Sequence, residues 1–330
     1  MILKDDAETI QASLQSVRPW IQSYVLIEAA STDETLDLAL QELKGIKGKV
    51  YQSPWATSQP TTQELLSLAK NQGDYLLWIS PDEKLVVKEK DGFGALKKDR
   101  YDAVCRADGV DWRRPFLLRS GLDWRGGDLF PQDLFSPRAK TSQLLSGCVL
   151  SKMGKNPLKE KRKLKEALQR DPANGKILLH LARAVESFGE SEEALRLYEK
   201  RSAMGGEPQE VFYSLYRIAA LQEKRGDCLE KVIESYLKAY HCFPNRAEPL
   251  FDLAERMIQD ENYVLGYVLS EFALTIPRPA DLFLQKSWIY EHGLLYQFAV
   301  CALKIQRIKE ANRAIEALPE EIRKLLKKEN

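Results

Sequence analysis

The sequence predicts an α/β domain over residues 1–154 followed by an all-α domain over residues 155–330. Two observations carry the division. Before about residue 155, short apolar runs ("YVLIEA", "KVYQS", "YLLWIS", "KLVV", "YDAVCRA", "FLLR") alternate with helix-like segments and with Gly, Pro or Asp turns, the texture of an α/β domain. After it, nearly every segment has helical period. At 330 residues the chain is long enough for both.

Bulk composition excludes more than it assigns. Lys plus Arg (49) nearly balances Asp plus Glu (48), so the long-range positive field that drives non-specific nucleic-acid binding is missing, and no nucleic-acid partner is expected. The five cysteines, Cys105, Cys148, Cys228, Cys242 and Cys301, are scattered and form no C-x-x-C, which fits free thiols in a reducing compartment rather than a disulfide or zinc framework. The start, "MILKDDAETI", lacks the apolar stretch of a signal peptide. No run approaches the roughly 18 apolar residues that span a bilayer. A cytoplasmic protein without a transmembrane segment is the expectation.

In the α/β half, two apolar runs end in acidic turns: "YVLI" runs into "EAASTDET" (Glu28 to Thr35), and "YLLW" into "ISPDEKL". In open α/β sheets, ligands bind in the crevice beyond the carboxyl ends of the strands, where such turns point. Ser31, Thr32 and Asp33 suit closing the first turn and starting the helix near Glu34, which leaves Glu28 to face a ligand. The basic stretch "KNPLKEKRKLKEALQR" (Lys155 to Arg170) mixes Glu160 and Glu166 with its lysines and sets Leu158, Leu164 and Leu168 on one side. It reads as a solvated helix at the domain junction.

Further on, Ile177, Leu178, Leu181, Ala182, Val185 and Phe188 repeat at i, i+3, i+4 and i+7 until Gly189, where a helix can end. A second helix is expected over 191–201, with Ser191 as a plausible N-cap and Ala194, Leu195 and Tyr198 inside. The pair resembles a tetratricopeptide repeat, whose period is about 34 residues. Leu178, Leu181, Ala182, Val185, Gly189, Ala194 and Tyr198 take its large, small and turn positions. The closing Ala and Pro recur as Ala167 with Pro172, Ala239 with Pro244 and Ala273 with Pro277. An unrelated helical bundle is the other reading; either way this half is a stack of α-helices.

A wider resemblance rests on "MILKDDAETIQASLQSVRPWIQSYVLIEAASTDETLDLA", Trp55 and "LAKNQGDYLLWISPDEKL", together with "FYSLYRIAALQEKRGD" and "FPNRAEPLFDLAE" in the helical half. These segments resemble family-2-type glycosyltransferases of GT-A fold, in particular a bacterial subgroup that carries tetratricopeptide-like helices after the catalytic domain. The resemblance implies a mixed-sheet domain that transfers a sugar from a nucleotide-diphosphate sugar to a protein or glycan acceptor. A divalent metal (Mn or Mg) would offset the phosphate charge. It places Glu28, Asp5, Ser80 and Arg119 at the nucleotide sugar and Asp82 on the metal. Asp128 or Asp133 would be the general base.

Several positions depart from that pattern. Glu28 and Asp5 stand for an Asp and an Asn. Ser80 removes one carboxylate of the metal-binding turn, and Thr62 and Gln63 replace an Arg and Asn pair. "LDWRGGDLFPQDL" lacks the expected histidine, and the histidines His180, His241 and His292 all lie in the helical half. Relatives precede the opening residues with the rest of a central strand, so the first strand is expected to be cut short or to begin late in this sequence. The alternative is a degenerate homologue acting as a scaffold that binds a protein or peptide through its helices. Trp112, Trp124 and Phe130, near Arg113, Arg114, Arg119 and Arg125, suit either sugar and phosphate contact or packing. No phosphate loop, complete dinucleotide turn or nucleophile elbow is present.

Overall fold

A computed structural model describes residues 1–53, 62–88, 93–107, 109–126, 130, 133–154 and 157–329. The chain divides into two compact units, Met1–Asn156 and Pro157–Asn330.

The first unit opens as a β-α-β-α-β run: β1 (Ile2–Leu3), α1 (Ala7–Val17), β2 (Ser23–Glu28), α2 (Thr35–Glu42) and β3 (Lys47–Gln52). The strands pair in parallel in the order β1-β2-β3, with Leu3 opposite Glu28 and Glu28 opposite Gln52. Leu3, Ile10, Leu14, Leu26, Ala39 and Leu43 form the core between this sheet and its helices. After α3 (Thr62–Ala69), the chain builds a second sheet from β4 (Tyr75–Leu77), β5 (Glu83–Val87), β6 (Arg100–Ala107), β7 (Val110–Arg119) and β8 (Ser142–Lys152). Its order is β4-β7-β6-β8-β5, antiparallel throughout except for the parallel β6–β8 pair. Its core contains Tyr101, Ala103, Cys105, Phe116, Leu117 and Leu150, joined by Val17 from α1.

Helix α1 therefore serves both sheets. Ile10 and Leu14 face the first core and Val17 the second. The Ser13 hydroxyl donates to the Ser80 carbonyl at 3.2 Å, and the Leu85 N–H donates to Ser16 Oγ at 3.0 Å.

This arrangement corrects the expected GT-A-like fold. That class implies one continuous mixed sheet, whereas the described strands form two separate sheets. At the edge where the sheets would join, β1 has only two residues and, among the described strands, pairs with β2 alone.

The second unit is helical: α4 (Pro157–Arg170), α5 (Gly175–Ser187), α6 (Ser191–Ala203), α7 (Pro208–Arg225), α8 (Leu229–Cys242), α9 (Glu248–Gln259), α10 (Tyr263–Ala273), α11 (Leu294–Lys304), α12 (Ile308–Ala317) and α13 (Glu320–Glu329). From α4 to α12 each helix packs on the next, and α5 also touches α7 as α9 touches α11. Small residues make this possible: Ala182, Ala194, Ala239 and Ala273 are fully buried, with Leu178, Val185 and Tyr198 filling the space beside them. Gly189 takes φ +80°, the left-handed conformation that ends a helix without a Cβ penalty. The cap of α5 is Asn174, whose side chain accepts from the Ile177 N–H at 3.1 Å. Ser191 instead becomes the first residue of α6, after Glu190, and gives no side-chain cap.

Candidate functional site

The carboxyl edge of the first sheet is where sequence reasoning places a ligand. There the turn after β1 and the turn after β2 are bonded to each other. Buried Glu28 accepts the Ala30 N–H at 3.1 Å on one oxygen and the Ser31 N–H at 2.5 Å on the other. Asp5 accepts the Thr32 N–H at 2.7 Å and its hydroxyl at 3.1 Å, and the Thr32 N–H holds its carboxyl below the usual range. Asp33 accepts the Ala7 N–H at 3.2 Å and the Thr35 N–H at 3.0 Å. Burial works against its charge, but the Thr35 hydroxyl and these N–H groups hold its carboxyl down. Asp5 and Ala30 both have positive φ, 51° and 53°, which turns the backbone so that these donors converge on the acids. The acids at this edge close turns.

The second acidic turn leads into a buried ion network. Lys152 Nζ lies 2.7 Å from Asp82 Oδ2 and 3.6 Å from Glu83 Oε1, and Arg114 pairs with the other oxygen of Glu83. Burial opposes the charge on Glu83, yet Arg114 and Lys152 hold its carboxyl below the ordinary value. Arg114 also donates to Cys105 Sγ at 3.2 Å; burial pushes that thiol up to about 11, against the pull of Arg114. Ser80 contributes backbone: its N–H donates to Glu83 Oε2 at 2.9 Å. Lys152 is already the counter-ion of Asp82 through Oδ2. Among the described residues, no group of three or more His, Cys, Asp or Glu side chains is placed to hold a metal ion.

Arg119 is held by Asp99 at 3.1 Å and the Lys97 carbonyl at 2.9 Å, over the Tyr75 ring. Trp124 is buried with Leu66, Leu118 and Leu134, and its indole N–H donates to the Arg119 carbonyl at 2.9 Å. Within the aromatic and arginine cluster, Arg119 and Trp124 are thus engaged by neighbours in the fold. Asp133 is exposed, with its N–H bonded to the Phe130 carbonyl at 2.9 Å, and Asp128 lies outside the described residues.

A different site emerges in the helical unit. On α7, Arg217, Ala220 and Lys224 recur at i, i+3 and i+7; on α9, Asp252, Glu255, Arg256 and Gln259 do the same. Together with Glu223, Tyr236 and Lys286 they line an open groove of about 460 Å³. Its walls are cross-braced. The Tyr216 hydroxyl bonds Asp252, which also takes Lys286 Nζ at 3.1 Å. Arg217 pairs with Glu186, and the Tyr198 hydroxyl donates to the same carboxylate at 2.8 Å. The Tyr236 hydroxyl donates to Glu223 at 2.6 Å, and Gln297 Nε2 donates to Glu255 at 2.8 Å. Residue by residue these are ordinary charges on helix surfaces. The signal that reveals them is the polar face shared by two helices of successive pairs.

No family model matches the chain, and no curated protein matches it. Solved structures similar to part of it include a MamA double mutant (15% identity, 53% of this chain and 87% of that one, TM-score 0.39). Others are PilF of Pseudomonas aeruginosa (13%, 53% and 75%, 0.42) and a tetratricopeptide repeat protein from Parabacteroides merdae (19%, 49% and 58%, 0.38). No glycosyltransferase was found among them. The expected membership of the family-2 glycosyltransferases is corrected on this finding, in line with the divided sheet. No helix of the described residues is long and apolar enough to cross a membrane.

Proposed function

We propose that this is a binding protein whose helical unit takes an extended segment of a protein partner in the groove between α7 and α9. The observation that carries the reading is the groove itself: about 460 Å³, open to solvent and lined by charged and amide side chains. Its wall residues are already fixed by tyrosine hydroxyls and ion pairs, so little side-chain order has to be supplied when a partner docks. The polar lining supports an exposed polypeptide as the ligand over an apolar small molecule.

The test uses the full chain and a library of short labelled peptides read by fluorescence anisotropy. Binding should be saturable and should be lost in Ala220→Trp, which fills the groove from α7, while circular dichroism stays unchanged. Peptides that bind the Ala220→Trp protein as well as the parent would place the site elsewhere and overturn the proposal.

A further inference from the structure

Among the described residues the groove holds two carboxylates without an ion pair, Glu223 and Glu255, against one such cation, Lys224, and that asymmetry specifies its ligand. Of its cations, Lys286 is paired with Asp252, Arg217 with Glu186, and Arg256 with Asp260 at 2.9 Å. Lys224 alone has no hydrogen bond or ion pair among the described residues. On the acidic side, Asp252 is compensated by Lys286. Glu223 and Glu255 receive only neutral donors, the Tyr236 hydroxyl and the Gln297 amide. A carboxylate offers about four hydrogen-bond acceptor sites, so both keep most of their capacity.

A separate observation points the same way. Gln297 is 1% exposed, and its Oε1 has no donor among the described residues. Its amide cannot be turned to cure this, because Nε2 sits between two acceptors, the Phe251 carbonyl at 3.1 Å and Glu255 at 2.8 Å. A buried acceptor left without a donor is costly, and the same amide donates through Nε2 to Glu255, a wall residue of the groove.

We infer that the partner segment carries a lysine or arginine whose cation is taken by Glu223 and Glu255. This rests on the groove being the binding site. Lys224, adjoining Glu223, sets a limit: it repels a run of basic residues and favours a segment in which the cation is followed by a carboxylate. The partner is a mixed-charge polypeptide, not a polybasic tail and not an acidic one.

The experiment measures anisotropy of short labelled peptides on the full chain at low and moderate salt. The peptides share a Gly/Ser/Ala background and carry either one Lys with one Glu, several Lys, several Glu, or Gln at all of those positions. The Lys-Glu peptide should bind at least tenfold more tightly than the Gln peptide, with the advantage shrinking as salt rises. The double variant Glu223→Gln/Glu255→Gln, which preserves shape, should erase that advantage; Lys224→Gln should narrow the gap between the Lys-Glu and polylysine peptides. Binding that is lost in Ala220→Trp but is indifferent to Lys-to-Gln replacement, or strongest for the acidic peptide, would overturn this inference and leave the groove reading intact. If no peptide binds, both fall.

Discussion

Arg246 and Glu248 are both 1% exposed and face each other: Nε lies 3.0 Å from each carboxylate oxygen, and a terminal guanidinium nitrogen lies 2.6 Å from Oε1. The pair stands at the start of α9, where Glu248 also meets the positive end of the helix. Arg246 lies over the Phe212 ring and donates to the Phe283 carbonyl at 3.0 Å, and the Tyr290 hydroxyl donates to Glu248 at 2.6 Å. One buried pair thereby joins α7, α9 and the segment leading to α11. Removing one partner leaves the other buried without its counter-ion, with only neutral hydrogen-bond partners. Arg246→Met should cost about 3–5 kcal/mol, and Arg246→Met/Glu248→Leu considerably less than twice that. Urea unfolding monitored in the helical unit checks it; equal and additive losses would refute the coupling.

Glu28 yields a second expectation. Because its oxygens serve the N–H groups of Ala30 and Ser31, Glu28→Ala should destabilise the first sheet by about 1–3 kcal/mol. Glu28→Gln, which keeps one acceptor oxygen, should cost less. Amide hydrogen exchange at Ala30 and Ser31 reads this directly: exchange should speed up in Glu28→Ala, and unchanged protection would show that the carboxylate is dispensable.

Gly48 pairs with Tyr24 across β2 and β3, and a Cβ at Gly48 would lie 2.4 Å from the nearest carbons of the Tyr24 ring. Gly48→Ala should therefore cost about 1–3 kcal/mol through displacement of that ring. Tyr24→Ala in the same chain should remove most of the penalty for the added methyl. A double-mutant cycle by thermal unfolding measures the coupling, and a cycle that sums to zero would exclude the contact.

His180 provides the pH dependence. Burial, then the charges of Arg183 and Lys176, push its imidazole down to about 3 from the ordinary 6.5. The unfolded chain then binds a proton that the folded chain refuses. Stability is fully present above pH 6.5 and falls as pH drops from 6.5 towards 3, at up to about 1.4 kcal/mol per pH unit. His180→Gln should flatten that slope between pH 7 and 5 in thermal unfolding of the helical unit. An identical slope in both proteins would show that the folded state accepts the proton as readily as the unfolded one.

The helical half was legible because its signals are local. A 3.6-residue rhythm and small residues at regular intervals are visible within a single window, and Leu178, Ala182, Ala194 and Tyr198 are buried as that rhythm requires. Most strands were visible too, as apolar runs. The long β8 was not: "SQLLSGCVLSK" interrupts its apolar residues with serines and a glycine. How strands divide into sheets depends on pairing between distant segments, which no window contains, so the divided sheet was out of reach. The acidic turns show a related limit. Charge at a strand end is readable, but whether backbone N–H groups converge on it depends on turns such as those at Asp5 and Ala30. The groove stayed hidden because its two faces become one surface only when α7 and α9 are neighbours.

Helix α1 has a consequence for how the first unit comes apart. Among the described strands no ladder joins the two sheets, which by pairing alone could melt separately. Yet Ile10 and Leu14 are part of one core and Val17 of the other, and the serines between them bond the β4–β5 turn and β5 itself. Neither sheet can release α1 without exposing apolar surface of the other. The helix makes the two sheets a single cooperative unit, so damage at the edge of the smaller sheet is felt in the larger one, through side chains and not through strands.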